Sequence, residues 1–150
     1  MVCPCCSGCM GPRLNRIDNP TREPFWLLQR IQHFWFAPNA KKWTDLEDEM
    51  PCDMNGLAAC VAPRLLVVTD GVYDQSSGPY AGFHTARLAS PVWALYGLKG
   101  IPADARVPEP NGIAGDKDGG VFFNYHHAGH DTLVYDWERF MDLAEARGWK

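Results

Sequence analysis

The segment that most limits how this chain can fold is Leu65-Leu66-Val67-Val68, bounded by Pro63 on one side and Asp70-Gly71 on the other. Its apolar residues do not alternate with polar ones. A strand with one wet face alternates in period two, so an unbroken run predicts a strand covered on both faces, as in a parallel sheet. Val121-Phe122-Phe123-Asn124-Tyr125 is a second such strand. Helical patterns alternate with these runs. Pro79 to Tyr96 reads as helical with a break at Pro91, where Ser90 is placed as an N-cap and Gly97 as a C-cap. Val134 to Arg147 sets Trp137, Phe140, Met141 and Ala144 on one face of a last helix. Strand, helix, strand, helix is the order of a parallel α/β sheet.

The remaining segments are less regular. Thr21 to Phe36 reads as an amphipathic helix with Thr21 as N-cap and Leu27, Leu28, Ile31, Phe34 and Trp35 at helical spacing. Pro38 to Pro51 is polar and acidic, hence surface. Asp53 is placed to cap a short helix over Gly56 to Cys60 that Pro63 ends. Ile101 to Gly120, rich in Pro, Gly and Asp, reads as a long loop. Val2 to Cys5 has the character of the end of a third strand. A sheet of two or three strands is too small to stand alone, so these residues predict part of a larger sheet.

Bulk properties exclude several classes. Hydrophobic residues at 46% and charged residues at 21% fit an ordinary globular chain, not a disordered one. A net charge of -4 offers neither a basic footprint for nucleic acid nor a polybasic membrane patch. No run approaches the ~20 apolar residues that a membrane helix requires. Met1 to Arg13 holds Cys3, Cys5, Cys6, Cys9, Pro4 and Pro12 and no apolar stretch, which is not a signal peptide. Zinc sites draw paired ligands at short spacing, whereas Cys52 and Cys60 have seven residues between them. The N-terminal cysteines offer soft-metal ligands, but the favoured reading is small residues at a strand end, with no metal or cofactor expected.

In parallel α/β sheets, reactive groups sit in the loops beyond the carboxyl ends of the strands. The first such loop holds Asp70 and Asp74; the second reads His126-His127-Ala128-Gly129-His130-Asp131. In α/β-hydrolases a triad runs Ser, then Asp or Glu, then His along the chain, and an acid after one strand with a His after the next matches its last two members. An imidazole, with an ordinary pKa of about 6.5, takes the nucleophile's proton and returns it to the leaving alcohol. The carboxylate fixes the ring's tautomer. His126, His127 and His130 also offer three imidazoles to a zinc ion, but neighbours in an extended segment point oppositely and do not converge. Ser7, Ser76, Ser77 and Ser90 lack the G-x-S-x-G turn of a nucleophile.

At this point a resemblance comes into view. Tyr135-Asp136-Trp137-Glu138-Arg139-Phe140, shortly after Gly129-His130-Asp131, resembles the closing segment of the bacterial glucuronoyl esterases, a family of carbohydrate esterases. So do Ala62-Pro63-Arg64, Glu47-Asp48-Glu49 leading into Pro51-Cys52-Asp53, Ser7-Gly8-Cys9-Met10-Gly11 followed by Leu14-Asn15-Arg16, and His33-Phe34-Trp35-Phe36. The matches keep their order along nearly the whole chain. The resemblance implies the C-terminal part of an α/β-hydrolase, three-layered with a mostly parallel sheet and truncated. It further implies a Ser-His-acid esterase cleaving the esters that join glucuronic acid on xylan to lignin alcohols.

By position, His130 is then the general base and Asp74 the acid, with Asp70 in reserve. Some members carry a Glu just before the Ser-Gly pair, where this chain has Cys6. Glu23 falls near a family Glu that contacts the sugar, and Ser76 stands where a Trp follows the acid. The family's nucleophile elbow, G-C-S-R-x-G-K, with its oxyanion-stabilising Arg, aligns ahead of Met1. Residues 1–150 are therefore expected to form a single partial domain without the nucleophile, inactive alone. The substrate implies export, which the absence of a signal leaves open, and an unpaired sheet edge predicts self-association. The rival reading is a non-catalytic metal- or thiol-binding protein, or a degenerate hydrolase.

Overall fold

The computed structural model describes residues 1–18 and 21–149. In chain order it has helices α1 (Phe25–Ile31) and α2 (Met54–Ala59), strand β1 (Leu66–Gly71), helices α3 (Pro79–Ala89) and α4 (Pro91–Ala94), strands β2 (Gly112–Ala114) and β3 (Val121–His126), and helix α5 (Val134–Ala146). Short 3-10 turns at His33–Trp35, Pro38–Trp43 and Glu47–Glu49 lie between α1 and α2.

The two apolar runs pair in parallel as expected, with Leu66 opposite Val121 and Gly71 opposite His126. β1 runs to Gly71, three residues beyond the apolar run, and all its residues are buried. Asp70 is therefore a strand residue, paired with Tyr125, and not the loop residue its Asp-Gly neighbourhood indicates. The N-terminal segment adds a parallel line on the other side of β1, as Val2 to Cys5 foreshadows. Val2 N–H donates to Leu65 O (2.8 Å), Val67 N–H to Val2 O (2.9 Å), Thr69 N–H to Pro4 O (2.9 Å) and Cys6 N–H to Thr69 O (2.8 Å). Inside the expected long loop, β2 lies antiparallel to β3. Its three residues are too few for a sequence pattern to register.

Both faces of the sheet are covered, which is why the two runs are apolar throughout. Leu66, Val68, Val121 and Phe123 meet Ala58 of α2, Phe83, Ala86 and Ala89 of α3, and Trp93 of α4. Val67 and Phe122 meet Phe140 of α5 on the opposite face. Each Val, Leu and Phe among them contributes about 1.5–3 kcal/mol on full burial. The Trp93 ring is fully buried, and its Nε1–H is satisfied by Arg64 O at 3.1 Å. Helix, sheet, helix gives the three layers expected.

Several boundaries differ from expectation for identifiable reasons. α1 spans Phe25–Ile31 and not Thr21 to Phe36, because Pro24 occupies its N-cap. The cap is tertiary: Glu47 Oε1 accepts the Phe25 N–H at 2.6 Å, while the Thr21 hydroxyl donates to Gln75 O. Phe25 and Leu28 pack on Cys9, but Ile31, Phe34 and Trp35 are exposed. Asp53 does cap α2, accepting from Met54 N–H at 2.7 Å, and also takes the N–H groups of Asn15 and Arg16. Ser90 is helical (φ -51°, ψ -38°) and no N-cap; its hydroxyl donates to Ala86 O and accepts from Ile101 N–H. Gly97 sits at φ +72° past the end of α4. On α5 only Phe140 of the expected face is buried, while Trp137 and Met141 are exposed.

Candidate active site

Because β1 and β3 are parallel and in register at Gly71 and His126, their following loops leave the sheet together at its carboxyl edge. Val72 N–H donates to His126 O (3.0 Å) and Tyr73 N–H to Ala128 O (2.9 Å), stitching the loops to each other. The approach is close enough to require glycine. A β-carbon on Gly71 would collide with the carbonyl oxygens of Gly129 and Ala128 and with His126 Nε2.

These loops bring Asp74 to His130. Asp74 Oδ2 lies 2.7 Å from His130 Nδ1. Its carboxylate also accepts from Ser76 Oγ (2.9 Å), Ser77 N–H (3.4 Å) and Ser77 Oγ. Burial works to raise the Asp74 carboxyl, but the hydrogen bonds from Ser77, Ser76 and His130 together outweigh it and hold the group below its ordinary value. An ionised Asp74 can only accept, so the proton between it and His130 sits on Nδ1. That leaves Nε2 as the basic nitrogen. The His130 side chain is 72% exposed and the Asp74 side chain 4%, so a buried anchor presents a ring on an open face.

Asp70 takes no part in this pair. Its carboxylate lies against Gly82 of α3, and burial, with Cys6 and Asp74 nearby, pushes its pKa well up. Cys6 does stand at the dyad. Its Sγ lies within 4.8 Å of an Asp74 oxygen and a His130 nitrogen, and its carbonyl accepts from Ser77 Oγ at 3.2 Å. The hydrogen bond with Cys5 and burial both push its thiol pKa up, so it supplies no charge in place of a Glu. Glu23 is held beside the acid's turn. Its N–H donates to Ser76 O (3.1 Å), its carbonyl accepts from the buried Arg13 guanidinium (3.0 Å), and its Oε1 lies against Gly8.

One buried polar pair escapes sequence reading. His126 is fully buried, with Nδ1 2.9 Å from Asp136 Oδ2 and Nε2 3.1 Å from Gly129 O. Asp136, in the first turn of α5, also accepts from Asn124 Nδ2 (2.7 Å) and Leu133 N–H (2.8 Å). A single buried carboxylate thereby ties the start, middle and end of the loop that carries His130. The signal available in the sequence is the acid three residues after Leu133, the spacing at which a helix side chain reaches back to its N-cap. The three imidazoles diverge: His126 goes to Asp136, His127 to Tyr73 Oη (2.5 Å) and His130 to Asp74.

A carboxylate after one parallel strand, a histidine after its neighbour, and helices on both faces of the sheet define an α/β-hydrolase. Residues 2–97 match the family model described as glucuronyl esterase of fungi. Carbohydrate esterase MZ0003, from an unknown prokaryotic organism, is 29% identical over 143 residues, covering 93% of this chain and 31% of its own length. A glucuronoyl esterase structure from Solibacter usitatus superimposes with a TM-score of 0.86 at 36% identity, covering 97% of this chain and 36% of that one. One from Teredinibacter turnerae T7901, of carbohydrate esterase family 15, gives 0.85 at 26% identity, covering 99% and 35%. The chain belongs to the glucuronoyl esterase family, and it spans about a third of the length of these relatives.

Proposed function

We propose that this chain carries the acid–base part of a serine-esterase site acting on glucuronate esters, of the kind that join glucuronoxylan to lignin alcohols. The observation that carries the proposal is the Asp74–His130 pair, 2.7 Å apart, with the carboxylate held charged and buried and the imidazole presented outward. In this reading His130 Nε2 accepts the proton of a serine hydroxyl as that oxygen attacks the ester carbonyl. It then returns the proton to the departing alcohol, and in the second half-reaction activates water by the same exchange. Asp74 holds the tautomer and stabilises the imidazolium. Glu23, fixed next to Ser76, is assigned to the sugar.

The chain's own serines are unsuited to the nucleophile's part. Ser76 and Ser77 hydrogen-bond Asp74, on the acid side of the imidazole. Ser90 is buried beneath the α3–α4 junction, and the Ser7 hydroxyl turns back to Cys5 O. The nucleophile and its oxyanion donors are therefore assigned to sequence outside these residues, and residues 1–150 are expected to be inactive alone.

The test is a graft in which this chain replaces the matching third of a glucuronoyl esterase relative, assayed on benzyl glucuronate. The graft is expected to turn over, and His130→Ala or Asp74→Asn to lower its kcat by about 10^4-fold or more. An unchanged rate in His130→Ala would sink the assignment of the base. Turnover by the 150-residue chain alone, lost in His130→Ala, would sink the assignment of the nucleophile.

A further inference from the structure

Consecutive residues of an extended segment point to opposite sides, so Cys5 and Cys6 ought to be separated by the backbone between them. They are not. Cys6 adopts φ +47°, and its Sγ stands 3.9 Å from Cys5 Sγ. Two sulfurs on one tetrahedral zinc ion, each bonded at about 2.3 Å, are about 3.8 Å apart. The thiol pair is thus spaced as two ligands of a single ion. On its other side, Cys6 Sγ, an Asp74 carboxylate oxygen and a His130 ring nitrogen lie within 4.8 Å of one another. The nitrogen facing Asp74 is Nδ1, at 2.7 Å, and the exposed ring is free to yield the few tenths of an ångström that a shared ion requires.

We propose that Cys6, Asp74 and His130 hold a thiophilic divalent metal ion, with zinc as the chemical type, and that Cys5, whose sulfur faces that of Cys6 from the His126–Asp136 side, turns in as the fourth ligand. With Cys5 turned in, two sulfurs, one nitrogen and one oxygen make a tetrahedral set, and the thiolates select against magnesium and calcium, which take oxygen ligands. The ion takes the place of the proton shared by His130 and Asp74. The two thiol protons leave to solvent and the imidazole proton moves from Nδ1 to Nε2, so affinity falls as pH falls. A neighbouring trio, Cys5, His126 and Asp136, is equally close but already committed. His126 uses one nitrogen on Asp136 and the other on Gly129 O, and Asp136 accepts from three donors. Occupancy of the first site excludes the proton-relay geometry of the dyad, and this inference stands whether or not the esterase proposal does.

Cobalt(II) is the probe, titrated into the 150-residue chain under a phosphine reductant. One equivalent is expected to bind with thiolate-to-cobalt charge transfer and the intense visible bands of a tetrahedral ion, and zinc to displace it. Cys5→Ser or Cys6→Ser is expected to remove half or more of the charge-transfer intensity. His130→Ala, at an exposed side chain where the fold is not at stake, is expected to weaken binding by roughly a hundredfold or more, beyond the ~10–100-fold lost with an outer-shell partner. Cys52→Ser and Cys60→Ser, at exposed thiols elsewhere, are expected to change nothing. Absence of stoichiometric cobalt binding, unaltered binding in His130→Ala, or loss of the band in Cys52→Ser or Cys60→Ser would each overturn the site.

Discussion

Asp70 and Asp74 lie four positions apart, and their surroundings shift their carboxyls in opposite directions. Hydrogen bonds from Ser77, Ser76 and His130 overcome burial at Asp74 and lower its pKa; at Asp70 burial dominates and raises it. Two carboxyls pushed apart in this way suit different roles: the shift at Asp74 favours the anion beside the imidazole, and the shift at Asp70 favours the neutral acid in the core. The lowered group contributes stability above its unfolded pKa that is lost as pH falls through its folded one. The raised group does the reverse, contributing below its unfolded pKa and losing that contribution as pH rises through its folded value. Asp70→Asn, which removes the second titration, is therefore expected to raise Tm more at neutral pH than near pH ~4, the ordinary carboxylate range. Equal shifts in melts at both pH values would contradict the assignment. Gly71→Ala tests the loop contact: displacing the Ala128 and Gly129 carbonyls should move His130 off Asp74, and ~1 Å of misplacement costs about a hundredfold in turnover of the graft. An unaffected rate would mean the loop yields. That His130 and Asp74 come together is legible in the sequence, because chain order and resemblance both point to the pair. Asp70 is misplaced by the same reading because Thr69-Asp70-Gly71 looks like a turn, and only pairing with β3 makes it strand.

At the scale of elements, what is legible follows from burial on two faces. β1 and β3 are apolar because both faces are covered, and they are found where the runs predict. α1 and β2 are not legible, because what forms them is tertiary: a distant Glu47 caps one, and the edge of β3 orders the other. α5 is legible in extent but not in orientation. Its buried face is set by Asp136 reaching His126 and Asn124, and helical periodicity cannot see a polar anchor. That anchor links helix, strand and the loop that carries His130, and removing one member leaves the others buried without a partner. Asp136→Ala is expected to cost about 3 kcal/mol or more in denaturant unfolding. His126→Ala in the Asp136→Ala background should then add less than it does in the native chain. Full additivity of the two losses would mean that the carboxylate and the imidazole do not act as a unit.

For the whole molecule, the decisive feature is the outer side of the N-terminal segment. Val2 and Pro4 direct their carbonyls at β1, and Val2 and Cys6 their N–H groups, so the alternation of a strand turns the polar groups of Cys3 and Cys5 away from the sheet. Among the described residues no strand lies beyond them. The opposite edge is β2, three residues long, and short edges are poor templates. Residues 1–150 are thus expected to associate through the Val2–Cys5 edge, with a weight-average sedimentation coefficient that rises with concentration under reductant. A monomer at every concentration would dispose of the idea. Cys3→Pro gives a sharper version, since it deletes an outward N–H while leaving the four hydrogen bonds to β1 intact. In the isolated chain it should reduce association. In the graft, where a further strand is expected on this side, the same change should instead lower Tm, because the N–H it removes is paired there. Opposite signs in the two settings would identify the edge as a sheet seam. Association undiminished by Cys3→Pro would move the contact to the exposed Trp137 and Met141 of α5, which Trp137→Ser then tests.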